Sequence, residues 1–309
     1  MIKVSNLTKC FGGVTAVDNI SFEVGKGEIV GLLGPNGAGK TTTMRILSCF
    51  LPATGGEVTI AGMDVFTESR EVRRKIGYLP ENAPLYHDMR VNEYLTYRAR
   101  LKGLRGKKLR SKLDEVTMQC ELQDVWLRII GQLSRGYMKR ISLADSLVND
   151  PDLLILDEPT IGLDPAQIRN IRSLIKRFAQ KHTVVLSSHI LPEVEMICER
   201  VLIINKGKIV ASDTPANLVG LIKGNPRIAA EIYGPINDIT LKIKAIPEVI
   251  NVSSEPAGDW NKFSCECENG SDIRQQLFKM VTDNNWIMRE LTSEKRKLED
   301  FFMEITSEG

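Results

Sequence analysis

Residues 1–90 alternate between short apolar runs and glycine-rich turns, a pattern typical of β-strands. Two short strands are predicted within residues 2–30, around F-G-G-V-T-A-V-D-N, and the second of them is S-F-E-V. The apolar strand I-V-G-L-L leads into a glycine-rich loop at 34–39, after which T-T-T-M-R-I-L-S-C-F has helical spacing. Two more strands are predicted at E-V-T-I-A-G and K-I-G-Y-L-P.

Residues 91–149 change to helical spacing, and strands resume with D-L-L-I-L-D at 152–157. The predicted helices are V-N-E-Y-L-T-Y-R-A-R-L, K-L-D-E-V-T-M-Q-C-E-L and K-R-I-S-L-A-D-S-L-V. A helix from Pro165 to about Gln180, the strand H-T-V-V-L-S-S, a helix from Leu191 to Glu199 and the strands V-L-I-I-N and K-I-V-A-S follow. This order predicts an α/β core interrupted by a helical insert.

The segment 212–226 resembles a domain boundary, and the pattern beyond it is different. I-A-A-E-I-Y-G alternates as a strand, D-I-T-L-K-I-K-A-I has helical spacing, and P-A-G-D separates two strands of a hairpin. A helix at D-I-R-Q-Q-L-F-K-M-V, a strand at I-M-R-E-L and a terminal helix at K-L-E-D-F-F-M-E-I complete the chain. The order β-α-β-β-α-β predicts a small ferredoxin-like α+β domain.

The composition is that of an ordinary globular protein, with 309 residues, 42% hydrophobic, 26% charged and a net charge of +2. The six cysteines are scattered apart from one C-x-C, which indicates reduced thiols. The chain does not open with a basic-then-apolar signal segment, and no apolar stretch approaches the ~18 residues of a membrane span. We therefore expect a cytoplasmic protein whose action on a membrane would need a partner.

The segment G-P-N-G-A-G-K-T, residues 34–41, fits the phosphate-loop pattern G-x-x-x-x-G-K-[ST] and lies between a predicted strand and a predicted helix. Gly37 and Gly39 let backbone amides close on phosphate oxygens, and the helix N-terminus adds partial positive charge. Lys40 is expected to reach the β- and γ-phosphates, and the hydroxyl of Thr41 to bind Mg²⁺. The predicted nucleotide-binding residues of this loop are Gly34, Pro35, Asn36, Gly37, Ala38, Gly39, Lys40, Thr41 and Thr42.

Two acidic residues and a histidine follow buried strands. Asp157 and Glu158 come directly after L-L-I-L, which places them at the carboxyl end of a strand, where open α/β sheets bind ligands. Asp157 is predicted to hold Mg²⁺, and Glu158 to polarise the attacking water. His189 follows V-V-L-S-S and is interpreted as a γ-phosphate sensor that orients Glu158. Exposed strand-end acids and a structural histidine are the alternatives.

Taken together, G-P-N-G-A-G-K-T-T, L-S-R-G-Y, L-L-I-L-D-E-P-T-I-G-L-D-P and V-V-L-S-S-H-I resemble the nucleotide-binding subunit of an ABC transporter. The resemblance covers residues 1–220 and implies a P-loop NTPase fold: a RecA-like α/β core with an antiparallel β subdomain and a helical insert at about 86–149. Residues 221–309 would form the accessory domain, whose end L-E-D-F-F-M-E-I-T resembles that of ABC-2-type exporter ATPases of the gliding-motility, sodium-export and multidrug groups.

The resemblance implies ATP and Mg²⁺ as cofactors and a head-to-tail dimer with a second copy or a paralogue. Each ATP would lie between the phosphate loop of one subunit and the Ser134 and Gly136 signature of the other, where Asp164 also contacts the opposite subunit. Phe11 matches the aromatic residue that stacks on adenine, although it is also a candidate core residue. The family couples dimer closure to a multi-span membrane permease through the helical insert, which would place this protein on the inner face of the cell membrane.

Two segments depart from the family pattern, the loop that contains residue 81 and the signature. Glu81 stands where most members have the glutamine that binds Mg²⁺ or water, so a negative charge would lie beside the triphosphate. Arg135 and Tyr137 stand in the signature where Gly and Gln are usual. The signature is interpreted as a working half-site, in which Ser134 caps a helix from Tyr137 to Val148.

Residues 98–112 carry eight basic residues and no acidic one. A solvated helix and loop, a contact with anionic lipid or with an acidic permease surface, and nucleic-acid binding are all compatible with this run. Nucleic acid is not expected as a partner, because the run contains no aromatic residue and no accompanying motif. Two rival functions stay open: an ABC ATPase of translation or DNA maintenance, and a regulatory ATPase whose C-terminal domain senses a ligand.

Overall fold

The structure, a computed structural model, describes residues 1–220, 227–268 and 271–294 and the single positions 299 and 302. Contacts between residues divide the chain into two compact units, Met1–Leu218 and Val219–Glu304. Of the terminal helix predicted at 297–305, all but positions 299 and 302 lies outside the described residues. Among the described residues, no helix combines the length and apolar character that crossing a bilayer requires.

The first unit alternates strands with helices along the chain. Its strands are β1 (Ile2–Phe11), β2 (Val14–Val24), β3 (Ile29–Leu33), β4 (Gly55–Ile60), β5 (Met63–Asp64), β6 (Ile76–Leu79), β7 (Leu153–Asp157), β8 (Thr183–Ser188), β9 (Arg200–Asn205) and β10 (Lys208–Asp213). Its helices are α1 (Lys40–Leu47), α2 (Ser69–Lys75), α3 (Val91–Leu101), α4 (Gly106–Gln119), α5 (Arg135–Leu147), α6 (Pro165–Ala179), α7 (Leu191–Ile197) and α8 (Pro215–Gly220), the last of which runs on past Leu218.

A six-stranded sheet in the order β10-β9-β3-β8-β7-β6 forms the centre of the first unit. Its strands β9, β3, β8, β7 and β6 are parallel, and every residue of β3, β7 and β8 is buried. Buried parallel strands read as continuous apolar runs, which explains why the pattern predicted them well. Because β8 lies between β3 and β7, the carboxyl ends of these strands meet at one edge of the sheet.

A second, antiparallel sheet in the order β2-β1-β4-β5 packs its apolar face into the same core. The sequence predicted two short strands here, with a long turn between them. The structure has a hairpin of strands of 10 and 11 residues, because V-T-A-V-D-N pairs with β1. Residues 12–13 alone form the turn. The two sheets share a cluster of buried side chains that includes Val4, Phe22, Val30 and Leu202.

Helices α3, α4 and α5 form the insert between β6 and β7. Two predicted boundaries were wrong. Helix α4 begins at Gly106 rather than near Lys112, because Leu109 already belongs to the buried face with Leu113 and Val116. Helix α5 begins at Arg135 rather than at Tyr137 or Lys139, because Ser134 is its N-cap residue. Helix α2 was not predicted, because it has a single buried residue and therefore no repeating apolar pattern that would indicate a helix.

The second unit contains the strands β11 (Arg227–Tyr233), β12 (Val249–Ala257), β13 (Trp260–Cys267) and β14 (Ile287–Glu294) and the helices α9 (Ile236–Lys244) and α10 (Arg274–Asp283). The strands pair antiparallel in the order β12-β13-β11-β14. This βαββαβ arrangement is ferredoxin-like, as the sequence predicted. Its core contains Ile239 and Leu277 from the helices and Ile232 and Phe263 from the sheet.

Candidate functional site

Residues 34–39 form a tight loop between β3 and α1, and two of its glycines have no room for a side chain. A Cβ atom on Gly34 would lie 2.2 Å from the carbonyl oxygen of Ile204. Gly39, the N-cap residue of α1, has φ +104°, and a Cβ atom there would lie 2.4 Å from the carbonyl oxygen of Ala16. The loop therefore requires glycine for its conformation and for its close approach to neighbouring strands.

Contacts on two sides hold the loop in place. The amide of Gly207, in the turn between β9 and β10, donates to the carbonyl of Ala38 at 3.0 Å. From inside, the ammonium group of Lys40 donates to the carbonyls of Gly34 at 2.8 Å and Pro35 at 3.1 Å. A curled loop with a lysine amine at its centre and a helix N-terminus behind it is a binding site for phosphate groups.

Lys40 is buried, with its side chain 6% exposed. Burial lowers the pKa of Lys40, while the negative charges of Glu158, Asp157 and Glu81 act in the opposite direction. The nearest of them is Glu158, whose Oε1 lies 3.6 Å from Nζ of Lys40. The lysine thus lies among carboxylates in a partly dehydrated site, where an arriving phosphate would compete for its charge.

Asp157 ends β7, and its carboxylate has one bound and one unbound oxygen. The hydroxyls of Ser187 and Thr41 donate to Oδ1 at 2.6 Å and 3.3 Å. Oδ2 is buried and has no hydrogen-bond partner in the described part of the chain. Burial raises the pKa of Asp157, while the hydrogen bonds from Ser187 and Thr41 lower it. A buried carboxylate oxygen without a partner is costly unless a cation or a water binds it.

Glu158, the next residue, has φ +46°, in the left-handed region that non-glycine residues rarely adopt. Its amide donates to the hydroxyl of Ser187 at 2.9 Å, which fixes this conformation. Its carboxylate lies between two cationic or donor groups: Oε1 near Lys40, and Oε2 at 3.0 Å from Nδ1 of His189, which donates to it. The structure therefore brings the predicted acid and the predicted histidine into direct contact beside the phosphate loop.

The phosphate loop and Glu158 line a cavity of ≈ 360 Å³, whereas the predicted residues Asp157 and His189 are not among its lining residues. Of the predicted residues, it contains Glu81, Glu158 and the loop residues Asn36, Gly37, Ala38, Gly39, Lys40, Thr41 and Thr42. Gly34 and Pro35 lie behind the lining, where their carbonyls bind Lys40. Ala16 and Ile161 also line the cavity, and the sequence did not single them out.

Oxygen groups at the cavity and in the buried side chain of Asp157 beside it suit a hard divalent cation. The hydroxyl of Thr41, the carboxylate of Glu81 and the unbound Oδ2 of Asp157 are the donor types that Mg²⁺ prefers. Thr41 and Asp157 are already within hydrogen-bond distance of each other, so one cation could contact both. The residues present fit Mg²⁺.

The signature residues do not line this cavity. Ser134 caps α5, and its hydroxyl accepts the amide of Tyr137 at 3.5 Å, as the sequence predicted for its capping role. Gly136 is buried, and a Cβ atom on it would lie 2.9 Å from the side chain of Gln167. Asp164 caps α6, accepting the amide of Gln167 at 2.8 Å. The assignment of Ser134 and Gly136 to an ATP on another subunit, and of Asp164 to a contact with that subunit, stays a prediction.

Phe11 lies at the end of β1 with 49% of its surface exposed, which contradicts a place in the core. The ammonium group of Lys9 lies 5.0 Å from its ring centre. Phe11 is outside the residues that line the phosphate cavity, so its contact with adenine stays a prediction. An exposed ring at a strand end is available for stacking.

Sequence reasoning missed two residues that hold the site together. Ser187 joins Asp157 to the backbone of Glu158, and Lys139 donates to the carbonyls of Glu81 at 3.1 Å and Glu158 at 3.4 Å. Ser187 had a signal, since it precedes His189 by two residues at the end of a buried strand. The sequence contains no signal for the role of Lys139, because this residue lies in a helix and its partners come from distant loops.

Some residues of the basic run at 98–112 form ion pairs within the insert. Arg98 and Lys102 both form ion pairs at 3.0 Å with Asp145 of α5, and Lys112 binds Asp150 at 2.9 Å. Asp145 is buried, so these pairs bind α3 to α5 inside the insert. Three of the eight basic residues therefore have a structural role, which weakens the interpretation of the run as a nucleic-acid surface.

Comparisons with known proteins agree with this geometry. Residues 17–161 match the model of the family "ABC transporter". The chain is 30% identical to the linearmycin resistance ATP-binding protein LnrL of Bacillus subtilis over 99% of its own length and 98% of the relative. It is 32% identical to the bacitracin transport ATP-binding protein BcrA of Bacillus licheniformis over 100% and 98% of the two chains. The daunorubicin resistance ATP-binding protein DrrA2 of Streptomyces coeruleorubidus is 33% identical, over 97% and 89%.

Solved structures of the same kind are also similar. A dimeric bacterial ABC transporter cassette has a TM-score of 0.64 and 28% identity, covering 69% of this chain and 98% of that one. A dimeric cassette in a post-hydrolysis state bound to ADP and phosphate has a TM-score of 0.63 and 27% identity, over 69% and 98% of the two chains. The protein belongs to the family of ABC transporter ATP-binding subunits. It has the P-loop NTPase fold and is an ATPase.

Proposed function

We propose that this protein is the ATP-hydrolysing subunit of an ABC-2-type exporter and drives a membrane permease by closing as a head-to-tail dimer on ATP. The observation that carries the proposal is the contact set around Glu158, which joins the phosphate-loop lysine and His189 through one carboxylate. The names of the full-length relatives, which concern resistance to linearmycin and daunorubicin and transport of bacitracin, support export as the direction.

In this proposal the cavity holds ATP with Mg²⁺. Amides of the loop and the ammonium of Lys40 would bind the β- and γ-phosphates, and Thr41, Glu81 and Asp157 would hold the cation. The cation would neutralise charge on phosphate oxygens in the transition state. The buried, unpaired Oδ2 of Asp157 supports its assignment as a ligand.

Glu158 is the proposed general base. Its carboxylate is held at both oxygens, by Lys40 and His189, so it has a fixed direction before any substrate arrives. When phosphates engage Lys40, Oε1 of Glu158 is released to accept a proton from water in line with the γ-phosphate. His189 keeps Oε2 in place, which makes it the orienting partner. A positioned base contributes roughly 10²–10⁴ in rate.

The proposed partner in the active dimer is a second copy of this chain or a paralogue. Ser134, Gly136 and Asp164 are outside the cavity of their own chain, and Ser134 and Arg135 are exposed at the N-terminus of α5. A helix N-terminus with an exposed serine hydroxyl can bind a phosphate from another subunit. If the partner completes the site, we expect an isolated chain to hydrolyse ATP slowly.

The proposed contact with the permease is a groove of ≈ 520 Å³ between the insert and the core. Phe50, Tyr78, Pro84 and other apolar side chains line it, together with the cations Arg45 and Arg73. The loop that carries Glu81 forms one wall, so a segment bound here would act on the nucleotide cavity. The lining fits an amphipathic permease helix with an acidic residue, and the protein would sit on the cytoplasmic face of the membrane.

Affinity purification from membranes tests this function. We expect the tagged full-length chain to retain a multi-span membrane protein, and Phe50→Asp to lose it, because Phe50 is 73% exposed at the groove. Phe66→Asp is the matched control, since Phe66 is also exposed but does not line the groove. Both variants should bind ATP like the wild type. Equal retention of the membrane protein by all three chains would contradict the assignment of the groove as the permease contact. If the wild-type chain retained no membrane protein, the result would favour an ABC ATPase without a permease.

A further inference from the structure

Lys139 is a half-buried cation that connects the helix after the signature to both loops of the nucleotide cavity. Its ammonium group donates to the carbonyl oxygen of Glu81 at 3.1 Å and to that of Glu158 at 3.4 Å. These two bonds span 58 and 19 residues of sequence. One side chain of α5 therefore fixes the backbone on both sides of the cavity.

The charges around Lys139 are mostly negative. Burial lowers the pKa of Lys139, and Glu81 is the first of the carboxylates whose charge acts in the opposite direction, followed by Asp157 and Glu158. Lys40, the other lysine of the site, already lies 3.6 Å from Glu158. Lys139, like Lys40, donates to carbonyl oxygens, and its charge also acts on the carboxylates around it.

The position of Lys139 affects the balance of charge in the cavity. Asp157, Glu158 and Glu81 bring three carboxylates to one site, and a bound triphosphate would draw Lys40 to its own oxygens. Lys139 would then be the ammonium group left beside the carboxylates. Among the three, only Glu81 has neither an ion pair with Lys40 nor the hydrogen bonds that Asp157 receives.

We infer that Lys139 is a positioning residue that compensates the charge of the Glu81 carboxylate and fixes its loop, so that an acidic residue is tolerated beside the triphosphate. The inference rests on the proposed nucleotide site. It assigns Glu81 and Lys139 to a coupled pair, in which neither can change without altering the effect of the other. A neutral glutamine at position 81 would not need the lysine.

A double-mutant cycle on the full-length chain tests the pair. The chains are wild type, Lys139→Met, Glu81→Gln and the double variant, and the readout is the dissociation constant of a fluorescent ATP analogue with Mg²⁺. We expect Lys139→Met to weaken binding by roughly tenfold, because an uncompensated carboxylate then faces the phosphates. The double variant should bind within about threefold of Glu81→Gln alone, which is non-additive. Lys139→Arg, which keeps the charge, should restore most of the binding.

Arg140→Met is the matched control, because Arg140 is the next residue on α5 and pairs with Glu121 at 3.1 Å. It should bind the analogue like the wild type, and thermal unfolding should show that every variant is folded. If Lys139→Met does not fold, Lys139→Gln, which keeps a hydrogen-bond donor, takes its place in the cycle. Additive losses in the double variant would overturn the inference and show that Lys139 only holds the backbone of the two loops. A wild-type chain that binds no analogue would overturn the nucleotide site itself, and the inference with it.

Discussion

The hydroxyl of Ser187 joins the carboxylate of Asp157 to the backbone amide of Glu158, and its removal is the sharpest perturbation that the structure offers. Ser187 is completely buried at the end of β8, between the strands that carry the phosphate loop and Asp157. Its hydroxyl donates to Oδ1 of Asp157 at 2.6 Å and accepts the amide of Glu158 at 2.9 Å. We predict that Ser187→Ala weakens Mg²⁺ binding without removing any proposed ligand.

The expected magnitude follows from the lost contact. A hydrogen bond to a charged group is worth about 1.5–3 kcal/mol, and loss of a residue that orients a metal ligand typically costs about 10–100-fold in metal affinity. Burial already raises the pKa of Asp157, and the Ser187 hydrogen bond opposes this. In Ser187→Ala the pKa of Asp157 should rise further. Since Mg²⁺ binds the ionised carboxylate, its affinity should fall with decreasing pH, and at a higher pH in the variant than in the wild type.

The assay is a Mg²⁺ titration of ATP hydrolysis and of ATP-analogue binding, repeated across pH. Ser146→Ala is the control, because Ser146 is also buried but donates only to the carbonyl of Leu143 in its own helix. A half-saturating Mg²⁺ concentration in Ser187→Ala within twofold of the control at every pH would refute the reasoning. It would mean that Asp157 does not depend on Ser187 for its orientation or its charge.

Three further predictions follow from single contacts. Ser134→Arg should leave ATP binding intact and abolish ATP-dependent dimerisation in gel filtration, whereas Ser173→Arg, on an exposed face of α6, should change neither. Gly39→Ala should lower ATP affinity much more than Gly37→Ala, because both have positive φ but only the first Cβ meets a carbonyl, at 2.4 Å; equal losses in binding would contradict this. Iodoacetamide should label Cys10 of the native chain first, as judged by mass spectrometry. The reason is that burial raises the pKa of the other five thiols, those of Cys49, Cys120, Cys198, Cys265 and Cys267. Early labelling of any of these five would contradict this reasoning.

The parts of the fold that could be predicted are those whose signal is local. Residues 29–47 combine a continuous apolar strand, a glycine-rich loop and a helical pattern, and each element is present, although the helix ends at Leu47 rather than at Phe50. Asp157 follows an apolar run directly, and His189 follows another after two serines. Because the ends of parallel strands meet at one edge of the sheet, the proximity of both residues to the phosphate loop could be argued before any coordinates. The ferredoxin-like order of the second unit could also be predicted, because each of its strands and helices has a local apolar pattern.

The parts that could not be predicted depend on contacts between distant residues. Nothing in α5 alone shows that Lys139 reaches the carbonyl of Glu81, 58 residues away. The basic run likewise looked uniform, yet Asp145, 43 residues beyond Lys102, pairs with two of its members. The length of the first hairpin was misjudged because polar residues interrupt β2, and strand pairing with β1 overrides that weak local signal.

The central claim is that Glu158, held by Lys40 and His189, is the base that activates water. Phosphate release and ATP-dependent dimerisation of Glu158→Gln test it most directly, with Glu199→Gln, an exposed acid, as the control. We expect Glu158→Gln to bind ATP like the wild type, to lose turnover by a factor of roughly 10²–10⁴ and to accumulate as an ATP-bound dimer, while the control is unchanged. Undiminished turnover in Glu158→Gln would contradict the claim.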